Sequence, residues 1–249
     1  MIKTAIEAAR SAGELAYRYF KIQPKVNYKP DNSPVTRADI EAEKLARKII
    51  SKKFPDHGII GEEFGKTNPD AKYQWVIDPV DGTRSFAIGL PLWSTLLAVL
   101  ENGKPIIGIS FAPAFNEFII AQKGKGTFLN GKKTSVSKTK DLKLSFMVFS
   151  TIRDFQKKEK LNGLVKLCEI IRSTRGYADL GYHLLLNGRI DIFVNAKEAI
   201  YDLAAPSILV QEAGGKFTDF SGKFSLTSGN GVATNGLLHD QVLKILNSR

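Results

Sequence analysis

WVIDPVDGTRSFAIG, residues 75–89, decides how the rest of this chain is read. An apolar run ends in two aspartates three positions apart, Asp78 and Asp81, and Gly82 and Thr83 then open a short helix closed by Gly89. Both carboxylates stand where a strand becomes a loop. They can face one point only if the chain turns sharply, which Pro79 and Gly82 allow. Two hard anionic ligands at one point suit Mg²⁺ rather than zinc, and the Val80 carbonyl between them offers a third oxygen. The N–H groups of Gly82 and Thr83 would cradle a phosphate. A turn aspartate and a capping threonine explain each residue singly, but not their convergence.

Upstream, HGIIGEEFG (residues 57–65) places Glu62 and Glu63 after a short apolar strand. Adjacent carboxylates repel, so something must offset them; beside two aspartates, one glutamate can bridge a metal and orient an attacking water. Downstream, YDLAAPSILVQEAGG (201–215) puts Asp202 at the start of an apolar helix, with Pro206 in its first turn and Gly214 past its end. Helix capping alone accounts for Asp202.

Helical spacing of Ile2, Ile6, Ala9, Gly13, Ala16 and Phe20 predicts a first helix, and a second runs over 36–53, with a polar loop, KPDNSPVTRAD, between them. Strands are expected at 73–77, 92–100, 105–111 and 118–122 as a largely antiparallel meander. Beyond residue 160, helices are expected at 161–171, 177–186, 203–213 and 237–246, with short strands at 190–194, 216–218 and 231–233. GTFLNGKK (126–133) approaches a phosphate-binding loop, yet Lys133 stands where a hydroxyl should hold the metal, and Asn130-Gly131 is a hairpin turn. The expected organisation is two closely packed halves, 1–140 and 141–249, sharing one site.

The 249 residues are 43% hydrophobic, enough for a large core, and no stretch is long and apolar enough for a bilayer. The lone Cys168 excludes an internal disulfide and a cysteine-based zinc site, and fits a reducing cytoplasm. The formal charge of +11 suggests an anionic partner. Basic residues are scattered in ones and twos, though, which argues against nucleic acid and for a solvated lysine-rich surface. His57, His183 and His239 lie far apart with no GxSxG sequence, so a serine hydrolase is not expected. The spacing DxxDGT carries one residue too many for the DxDxT of phosphatases that use an aspartate nucleophile.

GEEFG, WVIDPVDGT and YDLAAPSILVQEAGG, in this order, resemble the inositol monophosphatase family of metal-dependent phosphatases. The resemblance spans most of the chain: KPDNSPVTRADIEAEK (29–44) is similar to the family's mobile loop and aspartate-bearing helix, and RSTRGYADLGYHLLLNGRIDIFV to its substrate-side segment. It implies an α/β (α+β type) fold, a layered αβαβα sandwich of the inositol monophosphatase and fructose-1,6-bisphosphatase kind, commonly homodimeric. It implies Mg²⁺ held by Glu62, Asp78, the Val80 carbonyl, Asp81 and Asp202, phosphate held by Gly82 and Thr83, and in-line attack of water aided by Glu62 and Thr83, with Asp39 in support. Arg84, Ser85, Gly176, Ala178, Asp179 and Asn195 are the further substrate-contacting candidates. GTRSFAIGLPLW (82–93) is nearest to the histidinol-phosphatase branch, with inositol 1-phosphate and sugar phosphates such as fructose 1,6-bisphosphate as alternatives. Asn195 stands where both branches carry a glutamate, and an amide cannot pair with an amine as a carboxylate would; Asp179 is the candidate to restore that charge. A non-catalytic phosphate- or RNA-binding protein on this scaffold is the remote alternative.

Overall fold

Alanines set the outermost layer. Helix α1 (Ile2–Lys21) turns Ala5, Ala8, Ala9, Ala12 and Ala16 inward, and α2 (Arg37–Lys53) turns Ala38, Ala42 and Ala46, so the two helices lie close together over the first sheet. Between them, β1 (Val26–Tyr28) and β2 (Pro34–Thr36) form an antiparallel hairpin. The computed structural model describes all residues except Pro24, Asp31, Ala178 and Arg249.

The first sheet takes β3 (Gly58–Gly61), β4 (Gly65–Thr67) and β5 (Tyr73–Asp81); after the short helix α3 (Thr83–Ala87) it continues with β6 (Ser94–Glu101), β7 (Lys104–Ala112), β8 (Glu117–Gln122), β9 (Gly126–Leu129) and β10 (Lys132–Thr134). Its eight strands run in the order β10-β9-β8-β7-β6-β5-β3-β4, antiparallel except where β3 lies parallel to β5. The meander and the Asn130-Gly131 hairpin are as the sequence predicts. The second sheet uses β11 (Phe146–Phe149), β12 (Ser173–Gly176), β13 (Ile192–Asn195), β14 (Lys216–Thr218) and β15 (Gly231–Thr234), in the order β12-β11-β13-β15-β14. Helices α4 (Ile152–Lys157), α5 (Leu161–Ile170), α6 (Gly181–Leu186), α7 (Ile200–Glu212) and α8 (His239–Leu246) complete the chain.

Three cores define the layers. One lies between α1, α2 and the first sheet and holds Trp75, Phe86 and Trp93; the second joins the other face of that sheet to α6, α7 and the second sheet; the third lies under α5 and α8. The result is the αβαβα sandwich. Residues 203–210 of α7 are all buried because that helix is covered by a sheet on each side. Across this middle layer, His183 of α6 binds Ser110 Oγ of β7 at 2.9 Å and Glu117 Oε2 at 2.9 Å, and Glu117 in turn pairs with Arg189. Ser110 is 1% exposed, so this serine, histidine and carboxylate tie layers together and offer no nucleophile.

Several elements depart from the sequence reading. β5 does not stop at Ile77 but runs to Asp81 through an irregularity between Asp78 and Asp81. α6 starts at Gly181 rather than 177, because Leu180 adopts a left-handed conformation with φ of 64°. α7 starts at Ile200 rather than 203, which moves Pro206 from the first turn to the second. α8 begins at His239 rather than 237. Strand β2 lies in the polar loop of the sequence reading, and strands β1, β4, β11 and β12 and helix α4 lie in segments to which that reading gave no element.

Candidate active site

The irregularity in β5 is what turns its two aspartates to one point. Asp78 Oδ1 accepts the Val80 N–H at 3.0 Å, Thr95 Oγ1 holds the Pro79 carbonyl at 2.8 Å, and Gly82 follows with φ of 99°. A side chain at Gly82 would meet the Leu92 carbonyl at 2.8 Å, so the turn needs glycine for both its angle and its space. From the far side of the sheet, α7 brings Asp202 as its third residue, where the carboxylate accepts the Ala199 N–H at 2.6 Å. Pro206 has no N–H to return to the Asp202 carbonyl four residues back.

Asp78, Asp81 and Asp202 each bring a carboxylate oxygen within 4.8 Å of the others. Burial, reinforced by mutual repulsion, pushes Asp78 and Asp81 well above the usual carboxylate range; burial raises Asp202 to about 6. Carboxylates crowded in this way call for a cation, and an all-oxygen donor set fits a hard divalent ion such as Mg²⁺. The Val80 carbonyl accepts Thr83 Oγ1 at 3.0 Å and keeps a second lone pair for an ion.

Glu62 joins this cluster electrically: burial raises its carboxyl, and Asp202 and Asp39 raise it further. The GEEFG loop that presents it is fastened by a residue the sequence reading missed. Glu43 of α2, fully buried, accepts Glu63 N–H at 2.7 Å, Phe64 N–H at 3.2 Å and Arg47 Nε at 2.7 Å. A Cβ on Gly61 would fall 1.9 Å from Glu43 Oε1, which explains the first glycine of GEEFG. Glu43 stands four residues after Asp39 on one helix face, so spacing could have pointed to it.

Lys29, from the β1–β2 hairpin, offsets the Glu62–Glu63 repulsion. Its Nζ lies 2.9 Å from Glu62 Oε1 and 2.7 Å from Glu63 Oε1. A cation at Glu62 competes with any metal there. Lys29→Met is therefore expected to tighten Mg²⁺ binding on the order of fivefold in calorimetry, equivalent to about 1 kcal/mol for a partly exposed ion pair. Unchanged affinity would show that Lys29 does not compete.

Asp39 and Thr83 meet at a hydrogen bond. Asp39 Oδ2 accepts Thr36 N–H at 2.8 Å and Thr36 Oγ1 at 2.6 Å, which starts α2, while Oδ1 accepts Thr83 Oγ1 at 3.1 Å. Burial raises Asp39; the hydrogen bonds from Thr36 and Thr83 oppose that rise. Of the other candidates, Asp179 accepts the Ser85 hydroxyl beside the start of α3 and lies near Arg84, which is exposed. Asn195 is buried and bonds to Glu198. Gly176 lies exposed at the end of edge strand β12, against the Phe149 ring. Ala178 lies outside the described residues.

The model of the inositol monophosphatase family matches residues 1–249. A histidinol-phosphatase of Mycobacterium tuberculosis is 36% identical over 98% of this chain and 96% of its own length. A fructose-1,6-bisphosphatase/inositol-1-monophosphatase of Thermotoga maritima is 36% identical over 98% of this chain and 94% of its own. The crystal structure of the extragenic suppressor protein suhB from Bartonella henselae superposes with a TM-score of 0.93 at 27% identity, covering 99% of this chain and 98% of that one.

Proposed function

The chain belongs to the inositol monophosphatase family and is a metal-dependent phosphatase, and from that premise we propose that it hydrolyses histidinol phosphate to histidinol and phosphate with Mg²⁺. The observation that carries the reading is the convergence of Asp78, Asp81 and Asp202 beside Glu62 and the Thr83–Asp39 pair. The choice of substrate is supported by GTRSFAIGLPLW and by the M. tuberculosis relative.

In this reading Glu62, Asp78, Asp81, Asp202 and the Val80 carbonyl hold Mg²⁺, and the phosphate rests on the Gly82 and Thr83 amides beside Ser85. Bound divalent cations supply Lewis acidity to the attacking and leaving oxygens. Thr83 shares its one hydroxyl hydrogen bond between Asp39 Oδ1 and the Val80 carbonyl, which leaves its lone pairs to accept a hydrogen bond from water and aim that water at phosphorus. Glu62 stands by to take the proton that the water loses. Asp78 and Asp81 hold the cation rather than attack, so no covalent phosphoenzyme forms. No helix among the described residues is long and apolar enough to cross a membrane. A homodimer in a reducing cytoplasm, acting on a small phosphorylated metabolite, completes the reading, and the single Cys168 supports that compartment.

Phosphate release with Mg²⁺ from histidinol phosphate, inositol 1-phosphate, fructose 1,6-bisphosphate and adenosine 3′,5′-bisphosphate tests the proposal. A kcat/KM preference for histidinol phosphate of about a hundredfold is expected. Comparable values across the panel would overturn the substrate assignment and favour a broad sugar and inositol phosphatase, as the name of the T. maritima relative suggests.

A further inference from the structure

Glu62, Glu63 and Phe64 join β3 to β4 at the edge of the first sheet, with Gly61 paired to Gly65 across the turn. β4 is three residues long and exposed throughout, so it lends the turn little rigidity. Helix α2 supplies that rigidity instead. Asp39, Glu43 and Arg47 recur every four residues and form one stripe along the helix. Each meets a segment of the site. Asp39 Oδ1 accepts Thr83 Oγ1 at 3.1 Å. Glu43 Oε2 accepts the Glu63 N–H at 2.7 Å and Oε1 the Phe64 N–H at 3.2 Å. Arg47 donates Nε to Glu43 Oε1 at 2.7 Å and Nη2 to the Gly65 carbonyl.

Glu62 is caught between these contacts. The residue before it, Gly61, lies so close to Glu43 Oε1 that a Cβ there would overlap it, and the residue after it gives its N–H to Glu43 Oε2. With both neighbours held, the Glu62 backbone has one setting. The chemistry of the clamp is specific as well. Glu43 is fully buried and takes Glu63, Phe64 and Arg47 on its two oxygens, so a glutamine there would set its own NH₂ against an N–H donor. Arg47 spans Glu43 and Gly65 with two nitrogens of one planar group, a reach that the single Nζ of lysine lacks.

We propose that Glu43, locked by Arg47, is a positioning residue of the reaction. It sets Glu62 relative to Thr83 and Asp39 so that one water meets both, because both groups hang from α2. Glu43 lies buried under the turn and acts only through Glu62. This assignment rests on the role given to Glu62 above.

Glu43→Gln is the test, read with the most active phosphate of the panel above. Its kcat at saturating Mg²⁺ is expected to fall by about 10- to 100-fold, and Mg²⁺ alone to bind on the order of tenfold more weakly in calorimetry, as when a group behind a metal ligand is lost. KM for the phosphate stays near the wild-type value, since the Gly82 and Thr83 amides are untouched. In the metal-free variant the Glu63 and Phe64 amides exchange hydrogen faster, while those of β5 keep their protection. Arg47→Lys keeps the charge but loses one contact, so it shows the same pattern at smaller size and serves if Glu43→Gln folds poorly. Glu117→Gln, which cuts the carboxylate tying β8 to α6, loses stability with kcat and Mg²⁺ affinity unchanged. Lowered stability alone in Glu43→Gln and Arg47→Lys, with rate and Mg²⁺ affinity kept, overturns the proposal, as do matching losses in Glu117→Gln. Glu62→Gln at wild-type rate and affinity would sink the Glu62 reading and this proposal with it. A damaged Glu62→Gln beside an intact Glu43→Gln overturns the positioning role alone.

Discussion

Replacing Asp81 with asparagine is expected to cut kcat/KM for phosphate release by about 10²–10³-fold or more, while leaving the metal-free protein at least as stable as before. The loss follows from removing one preorganised charge at the point where cation and phosphate meet. The retained stability follows from crowding: burial first, then Asp202, Asp179 and Glu62, push the Asp81 carboxyl well above its ordinary value. For an acid raised in the folded state, ionisation opposes folding. Its contribution to stability is therefore favourable below the ordinary carboxylate range and is lost as pH rises through the raised folded value. At pH 7 in EDTA the asparagine variant should melt no lower than the wild type, and its stability should fall less steeply as pH rises from about 4. Added Mg²⁺ should stabilise the wild type more than the variant. Wild-type turnover in the variant, or a much lower melting temperature in EDTA, would remove Asp81 from the role assigned to it.

Thr83→Ala is the second substitution with a large expected effect, a fall in kcat of about 10²–10⁴-fold, the range for loss of a positioned proton-transfer partner. Thr83 bridges Asp39 Oδ1 at 3.1 Å and the Val80 carbonyl at 3.0 Å. Alanine removes the hydroxyl but leaves every acidic residue in place, so Mg²⁺ affinity in calorimetry should change little. Thr83→Ser should recover most of the rate, because the hydroxyl returns. Equal losses of rate and Mg²⁺ affinity would instead make Thr83 a prop for the cation site.

The sequence announced the parts of this site that depend on local geometry. An apolar strand leading into D-P-V-D-G-T can bring two carboxylates together only by turning, and the turn is present, fixed by the Asp78 and Thr95 hydrogen bonds. The Asn130-Gly131 hairpin and helix α1 were legible for the same reason, since the neighbours that decide them lie within a few residues; the alanines Ala5, Ala8 and Ala12 on its buried face were not singled out. Glu198 and Lys29 were not legible. Nothing in NAKEAIYD marks Glu198 for burial, which comes from α6 carrying Tyr182 and from β15 at Gly231. Lys29 reads as one more surface lysine in a polar loop, and its partners lie 33 and 34 residues away. The four-residue strands β11 and β12 are too short to show a period, and they exist because parallel neighbours complete their hydrogen bonding. Pro206 misled the reading of α7 because proline usually marks a helix's first turn, whereas here the helix begins earlier, at Ile200.

Asp39 and Asp202 occupy the same place in their helices, the third residue, and each accepts the backbone N–H of the residue just before its helix. Two jobs thus fall on each side chain, and an engineer seeking a sturdier protein will find no foothold at either. An uncharged substitute that relieved the electrostatic crowding would loosen the first turn of α2 or α7, and a substitute kept for the helix would retain the crowding. Variant libraries at these two positions should therefore show folding yield and turnover falling together, and a survivor with one intact and the other lost should be rare.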